Sequence, residues 1–156
     1  MKAMPGRAFV TGGAGFIGSH LVDRLVAEGN SVTVYDNLSS GKESFIRQHF
    51  GKQYFRFIGA DLGEFEFLVQ SMKGHDIVYH LAANPEAREG ISKTRLDLEQ
   101  NTLVTYNVLE SMRVNCIGDM VFISSGTVYG EVPDVAVGED YGPLLPISLY
   151  GASKLA

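Results

Sequence analysis

Thr11-Gly12-Gly13-Ala14-Gly15-Phe16-Ile17-Gly18 is the stretch on which the fold turns. Before it, Arg7-Ala8-Phe9-Val10-Thr11 is a short apolar run with the composition of a strand. After it, residues 16–28 carry Ile17, Leu21, Val22, Leu25 and Val26 at helical spacing and stop at Gly29. The skeleton Gly12-x-x-Gly15-x-x-Gly18 therefore joins a strand to a helix. Each glycine has a use there: a tight turn, close approach of a pyrophosphate, and close helix-on-strand packing. The helix N-terminus adds free amides and the positive end of its dipole. Taken alone, such glycines suit any turn that needs left-handed backbone. The flanking strand and helix, with an acid 18 positions beyond Gly18 at Asp36, favour nucleotide binding.

Outward from this loop, the pattern repeats. Ser31-Val32-Thr33-Val34-Tyr35 reads as a second strand, residues 54–58 as a third, 76–81 as a fourth and 120–124 as a fifth. Residues 92–114 form the longest helical pattern. Strands that alternate with helices imply parallel pairing, because each parallel crossover needs a dozen or more residues. The expected fold class is α/β, a doubly wound parallel sheet of the Rossmann type.

Asp36 ends the second strand, where a carboxylate can accept hydrogen bonds from an adenine ribose. It would repel a 2′-phosphate, so NAD is expected over NADP. On its own it would also pass for a turn aspartate, since Asn37, Ser39, Ser40 and Gly41 follow. Tyr150-Gly151-Ala152-Ser153-Lys154 places a tyrosine and a lysine at i and i+4, one turn apart on a helix face. An ammonium near a phenol favours the phenolate. Such a tyrosine can take a proton from a hydroxyl while hydride leaves for a nicotinamide. The same spacing is common on solvated helix faces and gains meaning only behind a dinucleotide loop.

Composition narrows the alternatives. The 156 residues are 45% hydrophobic and 20% charged, which suits one domain with a core rather than a disordered chain. A net charge of −5 argues against sequence-independent nucleic-acid binding. No run approaches the roughly 18 apolar residues of a membrane span. Residues 1–7 carry no secretory signal, so a cytoplasmic location is expected. His20, His49, His75 and His80 show no metal-ligand spacing, and no metal is expected. Cys116, the single cysteine, falls at a helix end and is expected to be a buried, inert thiol.

The motifs occur together in a familiar order: the glycine loop, Asp36, Asp61-Leu62, His80-Leu81-Ala82-Ala83, Asn101, Ser124-Ser125-Gly126-Thr127-Val128-Tyr129-Gly130 and Tyr150-x-x-x-Lys154. The chain thereby resembles the extended short-chain dehydrogenases/reductases, and within them the NAD-dependent epimerase/dehydratase family. The likeness is nearest to that family's UDP-glucose 4-epimerase group. The resemblance implies that Tyr150 is the acid/base, that Lys154 is its partner and holds the nicotinamide ribose, and that Ser125 hydrogen-bonds the reacting sugar hydroxyl. It also implies cofactor contacts at Gly12, Gly15, Phe16, Ile17, Gly18, Asp36 and Asn37, at the adenine pair Asp61 and Leu62, at Leu81, Ala82 and Ala83, and at Asn101, Tyr150 and Lys154. Asn84-Pro85-Glu86-Ala87-Arg88 departs from the family's lysine-bearing loop.

What the resemblance implies for function is a nucleotide-sugar 4-epimerase acting by transient oxidation at sugar C4. The family's 4,6-dehydratases carry Asp and Glu after the catalytic Ser/Thr, and the related decarboxylases tend to carry a glutamate two positions after it. Gly126 and Thr127 stand there instead. A dehydratase, decarboxylase or reductase is the alternative on the same scaffold. A non-catalytic NAD-sensing regulator is the alternative from another class, and it would not need Tyr150, Lys154 and Ser125 together. Relatives of this kind continue beyond the catalytic helix, so residues 1–156 are expected to be an NAD-binding domain. A substrate-binding part would follow it, and the isolated piece is expected to be inactive. Residues 92–114 resemble the helix that pairs across the family's homodimer.

Overall fold

The computed structural model describes residues 6–86, 88–132, 134 and 136–156. The N-terminal reading at 1–5 and Ala87 of the divergent loop lie outside them. The chain divides into two compact units.

The first unit spans residues 6–82 and Thr105–Phe122. Its strands are β1 (Arg7–Thr11), β2 (Ser31–Tyr35), β3 (Phe55–Ile58), β4 (Ile77–His80) and β5 (Asp119–Phe122). They form one parallel sheet in the order β3-β2-β1-β4-β5, as expected of a doubly wound fold. Its helices are α1 (Phe16–Ala27), α2 (Phe65–Met72) and α3 (Val104–Val114), the last beginning at a residue of the other unit. β1 is central and buried after its first residue, because a parallel strand in the middle of such a sheet is covered on both faces. The side-chain period of two sends Ala8 and Val10 to one face. There they join Val22 and Leu25 of α1, Val32 and Val34 of β2, and Ile46 in one core cluster. Phe9 points the other way, 5.7 Å from the Tyr35 ring and edge-on to His75 at 5.1 Å.

Both long helices of this unit stop by the same device. After α1, the Asn30 amide reaches the Leu25 carbonyl (3.1 Å) and the Gly29 amide reaches Val26 (3.0 Å), with Gly29 at φ 91°. After α3, Ile117 bonds to Met112 (2.9 Å) and Cys116 to Arg113 (3.2 Å). Cys116 takes the glycine's place, at φ 56°. The expectation of a buried thiol is thereby corrected: Cys116 is exposed. The left-handed residue lies past the last turn with its side chain toward solvent, while Ile117, the next residue, is the one that packs inward.

The second unit spans Ala83–Val104 and Ile123–Ala156. It contains 3-10 turns at Glu89–Ile91 and Gly126–Tyr129, a π-helical segment at Leu98–Leu103 and α4 (Leu149–Leu155). The single long helix expected over 92–114 is therefore corrected. Regular α-helix runs only over α3, and the wider π-helical turns precede it. Periodicity cannot register this, because a π-helical turn adds one residue without changing the apolar pattern on either side.

Candidate functional site

Four residues after β1 the chain enters α1, and backbone bonds hold the loop between them. The Gly12 amide donates to the Tyr35 carbonyl (3.0 Å) and the Gly15 amide to Gly12 (3.1 Å). Gly18 sits on the first turn of α1, against that loop. A Cβ added there would run into the Gly12 carbonyl oxygen and lie 2.7 Å from the Gly13 Cα. The helix begins at Gly15, whose position offers no side-chain cap. The amides of Phe16, Ile17 and Gly18 precede the first intrahelical bond, Ser19 to Gly15 (2.9 Å), so they have no carbonyl one turn back. A diphosphate at this terminus would meet those amides and the positive dipole end. The side chains of Phe16 and Ile17 stand exposed at the same end.

Asp36 is buried and holds the loop from the side. Its Oδ2 accepts from the Ala14 amide (2.9 Å) and its Oδ1 from the Leu38 amide (2.8 Å). A carboxylate has about four lone-pair sites, so capacity remains for ribose hydroxyls. Asn37 donates to Asp61 Oδ2 (2.7 Å), and Asp61 Oδ1 accepts from the Gly63 amide (2.8 Å). The buried Leu62 has its carbonyl bonded by Asn107 (3.0 Å). After β4, the Leu81 amide donates to the Thr11 carbonyl (3.1 Å) and the Ala82 amide to the Thr11 hydroxyl (3.3 Å). His80 links Thr11 Oγ1 (2.6 Å) to Thr105 Oγ1 (2.9 Å) inside the unit. Sequence reasoning passed over Thr11, Thr105 and Asn107 as site supports. Only a hydroxyl at the carboxyl end of a central strand could have pointed to Thr11.

Tyr35 supports the Asp61 corner, its hydroxyl donating to the Asp61 carbonyl (3.0 Å). Burial, with Glu64 and Asp61 nearby, pushes the Tyr35 phenol up to about 12 from 10.0. A group whose folded pKa is raised lends stability below its unfolded pKa and loses it as pH rises through the folded one. Wild-type protein is therefore expected to lose up to about 3 kcal/mol relative to Tyr35→Phe between pH 10 and 12. Urea melts of both proteins across that range are the check, and parallel stability curves would contradict it.

The second unit holds the other expected residues. Ser148 caps α4, accepting from the Gly151 amide (2.9 Å), and Tyr150 and Lys154 follow on this helix. Lys154 Nζ lies 5.9 Å from the centroid of the Tyr150 ring and donates to the Ile123 carbonyl (2.9 Å). Only 8% of Lys154 is exposed, and that burial lowers the pKa of its ammonium. Ser125 lies half-buried at the head of the Gly126–Tyr129 turn, its Oγ accepting from the Thr127 amide (3.2 Å) and the Thr127 hydroxyl (3.0 Å). A Cβ on Gly151 would come within 2.7 Å of the Thr127 carbonyl. A residue without a side chain thus lets α4 sit directly on the turn that carries Ser125. Ala83 is half-buried at the start of this unit, and Asn101 is buried in the π-helical segment. Asn84, the head of the divergent loop, and Asp97, which sequence reasoning passed over, are buried beside Asn101. Among the described residues no cluster of three or more His, Cys, Asp or Glu could hold a metal ion, and no helix is long and apolar enough to cross a membrane.

Residues 8–156 match the model of the NAD dependent epimerase/dehydratase family. A curated relative, a putative UDP-glucose 4-epimerase of Methanocaldococcus jannaschii, is 39% identical over 93% of this chain and 46% of its own length. The UDP-glucose 4-epimerase of Thermus thermophilus, solved in complex with NAD, superposes with a TM-score of 0.85 at 38% identity, covering 95% of this chain and 47% of that one. DesIV of Streptomyces venezuelae, a dTDP-glucose 4,6-dehydratase with NAD and TYD bound, superposes at 0.89 with 31% identity, covering 96% and 48%. The chain spans about half the length of the curated relatives it matches. With its parallel sheet, glycine loop and Tyr-x-x-x-Lys helix, this chain belongs to the NAD dependent epimerase/dehydratase family.

Proposed function

We propose that the full-length protein is an NAD-dependent nucleotide-sugar 4-epimerase acting on UDP-glucose and UDP-galactose or a close C4 pair. The observation that carries the reading is Ser125 followed by Gly126 and Thr127, in a chain that keeps Tyr150 and Lys154 on α4. Gly12, Gly15, Phe16, Ile17 and Gly18 would hold the pyrophosphate, Asp36 and Asn37 the adenine ribose, and Asp61 and Leu62 the adenine. Leu81, Ala82 and Ala83 would run beside the cofactor, with Asn101, Tyr150 and Lys154 toward its nicotinamide end. When bound, NAD supplies the hydride acceptor and then the hydride donor. Tyr150 takes the proton of the C4 hydroxyl and later returns it. Lys154 favours the phenolate by its charge. The Ser125 hydroxyl orients the reacting oxygen. The sequence beyond this domain supplies most of the sugar pocket. The whole enzyme is a homodimer in this reading, consistent with Tyr106 and Leu109 of α3, which stand exposed.

DesIV's similarity keeps the 4,6-dehydratase as a second reading. Elimination of water needs a group to protonate the leaving hydroxyl and another to deprotonate carbon. Glycine has no side chain, and a threonine hydroxyl is too weak an acid or base to replace a carboxylate. General acid–base catalysis is worth about 10²–10⁴ in rate, so elimination should be severely slowed here. Full-length protein with NAD should interconvert UDP-glucose and UDP-galactose, read by mass spectrometry and NMR. A product lighter by one water would refute the epimerase reading.

Cofactor preference offers a separate prediction. Full-length protein is expected to bind NAD at least tenfold more tightly than NADP because of the Asp36 carboxylate. Asp36→Ala also removes the acceptor of the Ala14 amide, so NAD affinity itself should fall by roughly 10–100-fold while the gap to NADP narrows. Equal dissociation constants for the two cofactors in the unmutated protein would sink it.

A further inference from the structure

We infer that Asp97 is a positioning residue for the proposed reaction, setting the placement of α4 through Asn101 and Ser153. The inference rests on the epimerase-type reading of Tyr150 and Lys154. Asp97 is 1% exposed, yet it forms no ion pair among the described residues. Its Oδ1 accepts from Asn84 Nδ2 (3.0 Å) and from Asn101 Nδ2 (3.2 Å). Asn101 Oδ1 accepts from the Asn84 backbone amide (2.8 Å), and Asn101 Nδ2 also donates to Ser153 Oγ (2.9 Å). Ser153 in turn donates to the Tyr150 carbonyl (2.7 Å). One buried carboxylate thus ends a chain of bonds that begins on the backbone of Tyr150.

The π-helical segment explains how the chain closes. Asp97 stands at its N-terminal boundary without a capping bond from its side chain, and Asn101 lies within it, four residues on, so the two side chains share a face. Asp97 Oδ2 has no partner among the described residues and faces Gly90, where a Cβ would collide with it. Oδ1 alone therefore takes one bond from each of the two asparagine amides. An apolar side chain would leave one N–H of each amide buried without its acceptor, and such orphaned groups relax by moving. What they would move is α4. The contacts of α4 with the rest of its unit place Tyr150 and Lys154. Those contacts include the Asn101–Ser153 bond, the Gly151 seat on Thr127 and the Lys154–Ile123 bond. The first runs back to Asp97 through Asn101.

The test uses the full-length protein with Asp97→Ala, Asp97→Asn and Ser153→Ala, measured well below each variant's Tm. Asp97→Ala is expected to lower kcat by about 10–100-fold while the NAD dissociation constant stays within about threefold. Asp97→Asn keeps an acceptor oxygen for the two amides and should restore kcat to within about threefold of wild type. Ser153→Ala cuts the far end of the same chain and should match Asp97→Ala in kcat, keeping the test open if Asp97→Ala does not fold. Hydrogen exchange on α4 amides supplies a readout independent of turnover: it should quicken at least about tenfold in Asp97→Ala and Ser153→Ala, with β1 amides unchanged. Wild-type kcat in either alanine variant would overturn the inference. So would a failed Asn rescue, or unaltered exchange in α4. Wild-type protein inactive on every nucleotide sugar would instead overturn the epimerase reading, and the exchange data would still decide the placement of α4.

Discussion

Tyr150→Phe is expected to lower kcat of the full-length enzyme by about 10²–10⁴ while leaving its NAD dissociation constant within about threefold. Phenylalanine has the same ring and cannot exchange a proton, so the substitution removes chemistry without removing volume. Tyr150 is the second residue of α4, and the helix is anchored by other groups: the Ser148 cap, the Ser153–Asn101 bond and the Lys154–Ile123 bond. None of these uses the phenol oxygen. Cofactor phosphates would be met by the amides of the glycine loop, which the substitution does not touch. The expected loss corresponds to about 3–5 kcal/mol of transition-state stabilisation. Steady-state kinetics with equilibrium NAD binding on the same preparation make the measurement. A variant keeping a tenth of normal kcat would show that Tyr150 is not the acid/base.

Gly18→Ala is expected to do the reverse, removing cofactor affinity through the backbone while leaving Tyr150 and Lys154 in place. A single added methyl would collide with the Gly12 carbonyl and come within 3.0 Å of the Gly12 carbonyl carbon. Both neighbours are main chain, so neither can swing aside, and the loop must shift as a body. That shift would strain the Gly15–Gly12 bond and the bond from the Ala14 amide to Asp36. NAD affinity should fall at least about 100-fold, since the amides that meet the phosphates would no longer converge. Overpacking of this kind costs about 1–3 kcal/mol, so Tm should drop by several degrees. Gly118→Ala is the control: a Cβ there meets nothing within 4 Å, and neither quantity should move. Calorimetric titration and thermal melts of both variants decide the matter, and an undiminished affinity in Gly18→Ala would show that the close approach is not needed.

Much of this protein was legible from local pattern alone. β1, β2 and the start of α1 fall where apolar alternation, helical spacing and the closing Gly29 put them. The parallel sheet followed from the alternation of elements, because a parallel crossover leaves few other arrangements. The motif order pointed to the family that the comparisons then showed. These features depend on residues close in sequence, and their physics acts over one turn or one strand.

What only the tertiary structure decided depends on residues far apart in sequence. Cys116 looked like a packed thiol because it follows an amphipathic run, but a helix stop needs a left-handed residue there, and the burial passes to Ile117. Residues 92–114 looked like one helix, since periodicity is blind to a π-helical turn. The loop-holding role of Asp36 needed the Ala14 amide, 22 residues away, to be brought to it. Asp97 is the clearest case. In the sequence it is one acid in a polar stretch, indistinguishable from a solvated helix face. Folding buries it beneath Asn84 and Asn101 and links it, through Ser153, to a helix more than fifty residues on. Sequence determines which groups can bond, whereas only the assembled fold determines which of them lose water and must find a partner.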